Sequence, residues 1–137
     1  MTKRSSTTPL YKKLGITNDS NILVLNSPKS YIDFFSDFPV NVNIHITENR
    51  RQFEFIHVFV QTTEELEMFF KIAKKSLNNK GLLWISWPKK TSKIVSELDK
   101  FMILKYGLAN GLVDTKVVSV DENWSGHKFV VRLCDRG

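Results

Sequence analysis

The sequence predicts a three-layer α/β domain, a mostly parallel sheet of about six strands with helices on both faces. Three observations support this fold class. Residues 82–87 form a short, almost continuously apolar run between Gly81 and Pro88, which is typical of a strand buried on both faces. Helical patterns precede and follow that run, and such alternation indicates a parallel sheet. Two strand patterns joined by a short turn predict an antiparallel hairpin at the end of the chain.

The first half of the chain shows alternating short helices and strands. Ser27 suits a helix N-cap and Pro28 suits the first helical position, so we expect a helix there. Clean polar–apolar alternation after that helix predicts a strand near an edge of the sheet. The expected elements are a short helix at residues 10–15, a strand at 22–25, a helix at 28–37, and strands at 42–46 and 53–60.

The second half begins with a strongly amphipathic helix. Thr62 and Glu65 stand at capping-box spacing, and the apolar residues that follow fall on one helical face. The expected elements are this helix, ended by a stop at residues 78–81, the buried strand at 82–87, a basic loop at 88–93, a helix at 92–109, and strands at 113–120 and 127–133. The apolar run at 101–104 is wider than one buried helix face requires.

Length and composition predict one cytoplasmic domain. The 137 residues suit a single domain at 10–137, preceded by a disordered basic leader at 1–9. No run approaches the roughly 18 apolar residues that a membrane span needs, so we expect no membrane association. Cys134 is the only cysteine, which excludes an internal disulfide and fits a reducing compartment.

The net charge of +6 is concentrated near the start of the chain. Four of the 20 basic residues lie in the first thirteen positions, where there is no acid, which leaves 16 basic residues against 14 acidic ones elsewhere. A nearly balanced globule is a poor electrostatic partner for a polyanion, so we do not expect nucleic acid to bind.

The order of elements and two segments resemble those of a known protein family. Residues 53–59 resemble the fourth strand of class I methyltransferases, and residues 81–88 resemble their fifth strand. The whole order is similar to a shortened form of the Rossmann-like fold of that family. Residues 84–90 together with 121–126 also resemble a family of small bacterial proteins of unknown function that shares this outline.

The resemblance implies where a cofactor would bind. Methyltransferases place a glycine-rich turn after the first strand, close to S-adenosylmethionine, whereas this chain has Asn26-Ser27-Pro28-Lys29. Glu48 stands where the family places an acid on the ribose hydroxyls, and the helix between the second and third strands is missing. Because a turn without glycine leaves less room for the ligand, we expect no cofactor, with S-adenosylmethionine as the alternative.

Candidate site residues follow the carboxyl ends of the strands, where open α/β sheets bind ligands. Lysines and the helix starts after Ser27 and Thr62 favour a small anionic ligand. Two interpretations without a ligand stay open. The lysines and Glu48 can be solvated, and the indoles can pack over the core. The candidates are Asn26, Ser27, Glu48, Gln61, Thr62, Ser86, Trp87, Lys89, Lys90 and Trp124.

The sequence contains no recognisable catalytic or metal-binding motif. His57 lies within a predicted buried strand, where a hydrogen-bonded core histidine is expected, and Cys134 is interpreted as a small buried thiol. The favoured function is therefore a non-catalytic binding or interaction module with an anion or nucleotide crevice, acting with a protein partner or as a homodimer. The alternative is a methyltransferase that uses S-adenosylmethionine.

Overall fold

A computed structural model describes residues 8–48 and 51–136. The helices are α1 (Leu10–Leu14), α2 (Thr63–Ser76) and α3 (Lys100–Ala109), with short 3-10 turns at Tyr31–Phe34 and Leu133–Asp135. The strands are β1 (Asn21–Leu25), β2 (Asn43–His45), β3 (Phe53–Phe59), β4 (Leu77–Pro88), β5 (Leu112–Ser119) and β6 (Trp124–Val131). The expected leader falls largely on residues 1–7, outside the described part.

The strands form a six-stranded sheet with the order β2-β1-β3-β4-β6-β5. Strands β2, β1, β3 and β4 are parallel, whereas β6 runs antiparallel to both β4 and β5. Leu25 stands beside Val58, and Val58 stands beside Ile85, so the three central strands end at the same edge. The predicted mostly parallel sheet with a terminal antiparallel hairpin is confirmed.

Apolar clusters cover both faces of the sheet. Leu66 and Phe70 of α2 and Ile103 of α3 pack on one face, where they cover alternate residues of β3, β4 and β6. Leu14 of α1 and Tyr31 pack on the other face. The period-2 alternation of side chains along each strand divides the core in this way, and it gives the three predicted layers.

The helix expected at residues 28–37 does not form. The Ser27 hydroxyl donates to the Lys29 carbonyl at 2.6 Å instead of accepting from a helical N–H group. The chain makes only the 3-10 turn at Tyr31–Phe34, after which the rings of Phe35 and Phe38 contact the Tyr31 ring edge-on, with centroids 5.1 and 6.5 Å away. Aromatic packing on the sheet therefore outweighs the helical signal.

The helix expected at residues 92–109 begins eight residues late. Ser92 and Ser96 accept hydrogen bonds from the N–H groups of Ile94 and Leu98, which stabilises local turns in place of helix. Asp99 is the real N-cap, because its carboxylate accepts from the Met102 N–H group at 2.9 Å.

Two smaller expectations at element ends are also wrong. Residues 78–81 are part of β4 and not a loop, since α2 ends at Ser76 and the chain enters the strand directly at Leu77. Strand β6 ends at Val131, so Cys134 lies in the following 3-10 turn, where it is exposed and not a buried thiol. Among the described residues there is no helix long and apolar enough to cross a membrane.

Candidate functional site

The carboxyl edge of the central strands is held together by polar contacts. Asn26, directly after β1, donates from Nδ2 to the Phe59 carbonyl at the end of β3, at 2.9 Å. The Val60 N–H group in turn donates to the Ser86 carbonyl of β4, also at 2.9 Å. These bonds fix the relative positions of the chain segments that leave β1, β3 and β4.

The turn after β1 has the backbone shape that glycine commonly supplies. Asn26 has φ of +61°, in the left-handed region that asparagine tolerates better than most residues. Its side-chain amide is committed to the Phe59 carbonyl. The turn therefore obtains this conformation without glycine, while the Asn26 and Ser27 side chains remain part of the lining of the adjacent cleft.

A cleft of about 510 Å³ lies beside this turn, over the paired strands β1 and β2. Ile46 is 75% exposed and Ile32 is 51% exposed, so apolar surface faces solvent there. We call this the β1–β2 cleft. Its principal lining residues are Asn26, Ser27, Ser30, Tyr31, Ile44 and Ile46.

Beneath the cleft, a buried chain of hydrogen bonds crosses two strands. The Tyr31 hydroxyl lies 2.7 Å from His57 Nδ1, and His57 Nε2 lies 2.7 Å from the Ser86 hydroxyl oxygen. Burial lowers the pKa of His57 to about 3 and raises the pKa of Tyr31. The imidazole is therefore neutral at physiological pH, and the predicted hydrogen-bonded core histidine is confirmed.

Protein side chains already occupy the start of α2. The Thr62 hydroxyl accepts from the Glu65 N–H group at 3.1 Å, and the Glu65 carboxylate accepts from Gln61 N–H at 2.7 Å. Glu97 accepts from both the N–H and the hydroxyl of Thr63, and these bonds lower the pKa of its carboxyl. The helix expected after Ser27 does not form. Neither of the two expected helix starts therefore offers the open anion site that we expected.

The remaining candidates divide between core and surface. Ser86 is fully buried, Trp87 is 6% exposed and Trp124 is 3% exposed, with the Trp124 ring edge-on to Phe59 at 5.3 Å. The core interpretation of both indoles is confirmed. Glu48 lines a separate hollow of about 960 Å³ with residues of the outer face of α2, so it is not brought together with Asn26 and Ser27.

Lys89 and Lys90 lie on the opposite face of the sheet from the β1–β2 cleft. They line a groove of about 570 Å³ that we call the Trp87 groove. Its main residues are Trp87, Lys89, Lys90, Lys100, Phe101 and Val117. Sequence reasoning missed Tyr31 in the cleft and Lys100, Phe101 and Val117 in the groove. The wide apolar run at 101–104 was the available signal, because Phe101 is 71% exposed.

His127 is the other buried histidine. Its Nε2 lies 3.3 Å from Asp114 Oδ2, while its Nδ1 has no hydrogen-bond partner among the described residues. Burial lowers its pKa. Within residues 8–48 and 51–136, no group of three His, Cys, Asp or Glu side chains could hold a metal ion.

Comparisons with known proteins find structural similarity only. No family model and no curated protein matches the chain. Among solved structures, the DhpI–SAH complex aligns with a TM-score of 0.57 and 14% identity, over 90% of this chain and 82% of that one. The fold is methyltransferase-like.

Two further structures support this conclusion. The glycopeptide N-methyltransferase MtfA, complexed with sinefungin, aligns with a TM-score of 0.56 and 7% identity, over 89% of this chain and 83% of that one. The fibrillarin pre-rRNA processing protein of Methanococcus jannaschii aligns with a TM-score of 0.54 and 16% identity, over 84% of this chain and 67% of that one. These identities show the fold alone.

The comparisons bear on the two functions expected from the sequence. They are nearer to the alternative, a methyltransferase that uses S-adenosylmethionine, and they do not support the non-catalytic module. The expectation that no cofactor binds is not confirmed, since SAH and sinefungin are bound in two of the similar structures. A protein partner or a homodimer stays a prediction.

Proposed function

We propose that the chain binds S-adenosylmethionine in the β1–β2 cleft and acts as a small methyltransferase. The observation that carries the proposal is the left-handed turn at Asn26, next to a cleft at the carboxyl end of β1. In open α/β sheets this end of the strands is where ligands bind. The bound SAH and sinefungin of two similarly folded proteins support the same ligand class.

The lining of the cleft fits the size and chemistry of this cofactor. Its volume of about 510 Å³ lies within the usual range for small-molecule sites. Ile44 and Ile46 offer apolar surface to the adenine ring, and the hydroxyls of Ser27 and Ser30 offer hydrogen bonds to the ribose and methionine ends. When bound, S-adenosylmethionine supplies an activated methyl group for transfer.

The cleft departs from the family pattern at the ribose. Glu48 lines the hollow beside α2 and not the cleft, so no carboxylate is available there for the ribose hydroxyls from the position that the family uses. We expect the serine hydroxyls to replace it with weaker, uncharged hydrogen bonds. Charge-assisted bonds are roughly twice as strong as neutral ones, so we expect micromolar and not nanomolar affinity.

Calorimetry with S-adenosylmethionine, S-adenosylhomocysteine and sinefungin tests the proposal. Ser30→Trp should abolish binding because the indole would fill the cleft, whereas Ser36→Trp, at an exposed serine outside the cleft lining, should bind as the wild type does. Circular dichroism would establish that both variants are folded. Absence of wild-type binding at roughly millimolar ligand, or equal binding by both variants, would overturn the proposal.

A further inference from the structure

The Trp87 groove combines an apolar floor with positive charge. Trp87 and Val117 lie on the sheet side, and the largely exposed Phe101 ring stands on α3. Lys89, Lys90 and Lys100 all line it, and none forms an ion pair with a carboxylate among the described residues. This is the arrangement expected for a ligand that carries a ring and a negative charge.

One acidic residue, Asp99, lines the groove against the three lysines. Asp99 caps α3 by accepting from the Met102 N–H group at 2.9 Å. The half-buried Lys89 is held by a hydrogen bond of 2.6 Å from its Nζ to the Ser119 hydroxyl, which is a neutral partner. The groove therefore has a net positive charge, with one of its ammonium groups fixed in position.

The β5–β6 turn lies between the groove and the β1–β2 cleft. Asp121 of that turn pairs with Lys29, a lining residue of the cleft, at 3.8 Å. Asn123 of the same turn accepts from the N–H group of Lys89, a lining residue of the groove, at 2.9 Å. The turn therefore separates the two concavities, which lie on opposite faces of the sheet.

We propose that the Trp87 groove binds an aromatic anion, with its ring against the exposed Phe101 ring and its phosphate or carboxylate among the three lysines. This binding does not depend on the proposed function, because the groove and the β1–β2 cleft lie on opposite faces of the sheet and share no lining residue.

Nuclear magnetic resonance titrations with simple probes test the binding chemistry. Phenyl phosphate and benzoate distinguish the two sources of negative charge, benzyl alcohol carries the ring without charge, and inorganic phosphate carries charge without a ring. The reporter is the indole N–H resonance of Trp87, which Trp87→Phe would assign. We expect a saturable shift with at least one aromatic anion and, at equal concentration, smaller shifts with the other two probes.

A matched pair of charge-reversal variants separates the groove from the overall charge. Lys90→Glu with Lys100→Glu should weaken binding of the aromatic anion by about tenfold or more, because two attractive charges become repulsive. Lys80→Glu with Lys105→Glu changes the net charge equally at exposed positions outside the groove, and it should stay within about twofold of the wild type.

The outcomes distinguish this inference from the proposed function. The inference is overturned if no aromatic anion shifts the Trp87 signal, if benzyl alcohol binds as well as the anions do, or if both double variants weaken binding equally. Calorimetry of S-adenosylmethionine on the groove variants then tests the cleft separately. Cofactor binding without anion binding overturns only the inference, and the reverse result overturns only the proposed function.

Discussion

Replacing His57 by glutamine should make the fold less sensitive to acid. His57 is fully buried, with both ring nitrogens 2.7 Å from hydroxyl oxygens of Tyr31 and Ser86, and burial lowers its pKa from 6.5 to about 3. In the unfolded chain the ring regains its ordinary pKa. At pH values between about 3 and 6.5, the folded and unfolded states therefore bind different numbers of protons.

The sign of the effect follows from this difference. Between pH 6.5 and about pH 3 the unfolded state binds a proton that the folded state does not, so the free energy of unfolding falls as the pH falls. A pH of about 5 lies 1.5 units below the pKa of the unfolded ring. At 1.36 kcal/mol per unit, His57 then lowers the free energy of unfolding by about 2 kcal/mol. At about pH 7.5 the loss is close to zero, because the imidazole is neutral in both states.

Urea unfolding followed by tryptophan fluorescence measures this quantity. Between about pH 7.5 and about pH 5, His57→Gln should lose about 2 kcal/mol less than the wild type, even if the variant is less stable overall. Tyr31→Phe is the matched control, because it removes one hydrogen bond but keeps the titrating ring. The reasoning is refuted if His57→Gln loses as much stability in acid as Tyr31→Phe does.

Two further predictions concern contacts that position the helices. Gly107→Ala should lower the free energy of unfolding by about 1–3 kcal/mol, because an added Cβ would lie 2.1 Å from Cε1 of the Phe129 ring. The helix propensity gained by alanine, about 1 kcal/mol, offsets only part of the cost of displacing the fully buried Phe129 ring. Thr62→Ala should cost about 1 kcal/mol, since the hydroxyl caps α2 through Glu65 N–H.

Chemical denaturation at neutral pH checks both predictions. A Gly107→Ala protein as stable as the wild type would show that α3 can move away from β6 without loss. For the cap, Thr91→Ala is the control, because Thr91 is exposed and lies in a loop. Equal effects of the two threonine substitutions would contradict the role assigned to Thr62.

Local sequence signals predicted the sheet well because each strand carries its own signal. The continuous apolar run at 82–87 requires burial on both faces, and burial on both faces requires helices or turns above and below it. The capping residues Thr62 and Glu65 likewise act within one turn of helix, so the position of α2 was readable. In all these cases the interactions that decide the structure lie a few residues apart.

The errors come from contacts between distant segments or from competing local ones. The segment after Ser27 reads as a helix, yet Tyr31 must reach His57, which is 26 residues away. The helix signal at residue 92 competes with serine hydroxyls that satisfy the backbone locally. Neither outcome could be decided from propensity alone.

The candidate site was predicted as one crevice because the sequence indicates which residues lie at the carboxyl edge of the sheet. It does not indicate which face of the sheet each side chain occupies. Lys89 and Lys90 follow β4 just as Asn26 follows β1, but their side chains lie on the opposite face of the sheet from the β1–β2 cleft. The chain direction after each strand fixes the face, and it depends on where the next helix packs. That information comes from tertiary structure.

The two outer strands of the sheet have a consequence for how copies of the molecule meet. At one side β2 pairs over only three residues, and at the other side the register of β5 shifts between Asp114 and Lys116, where an exposed lysine follows the irregularity. Short, bulged and charged strands are poor templates for strand addition. The two outer strands are therefore poorly suited to pairing edge to edge with a second molecule.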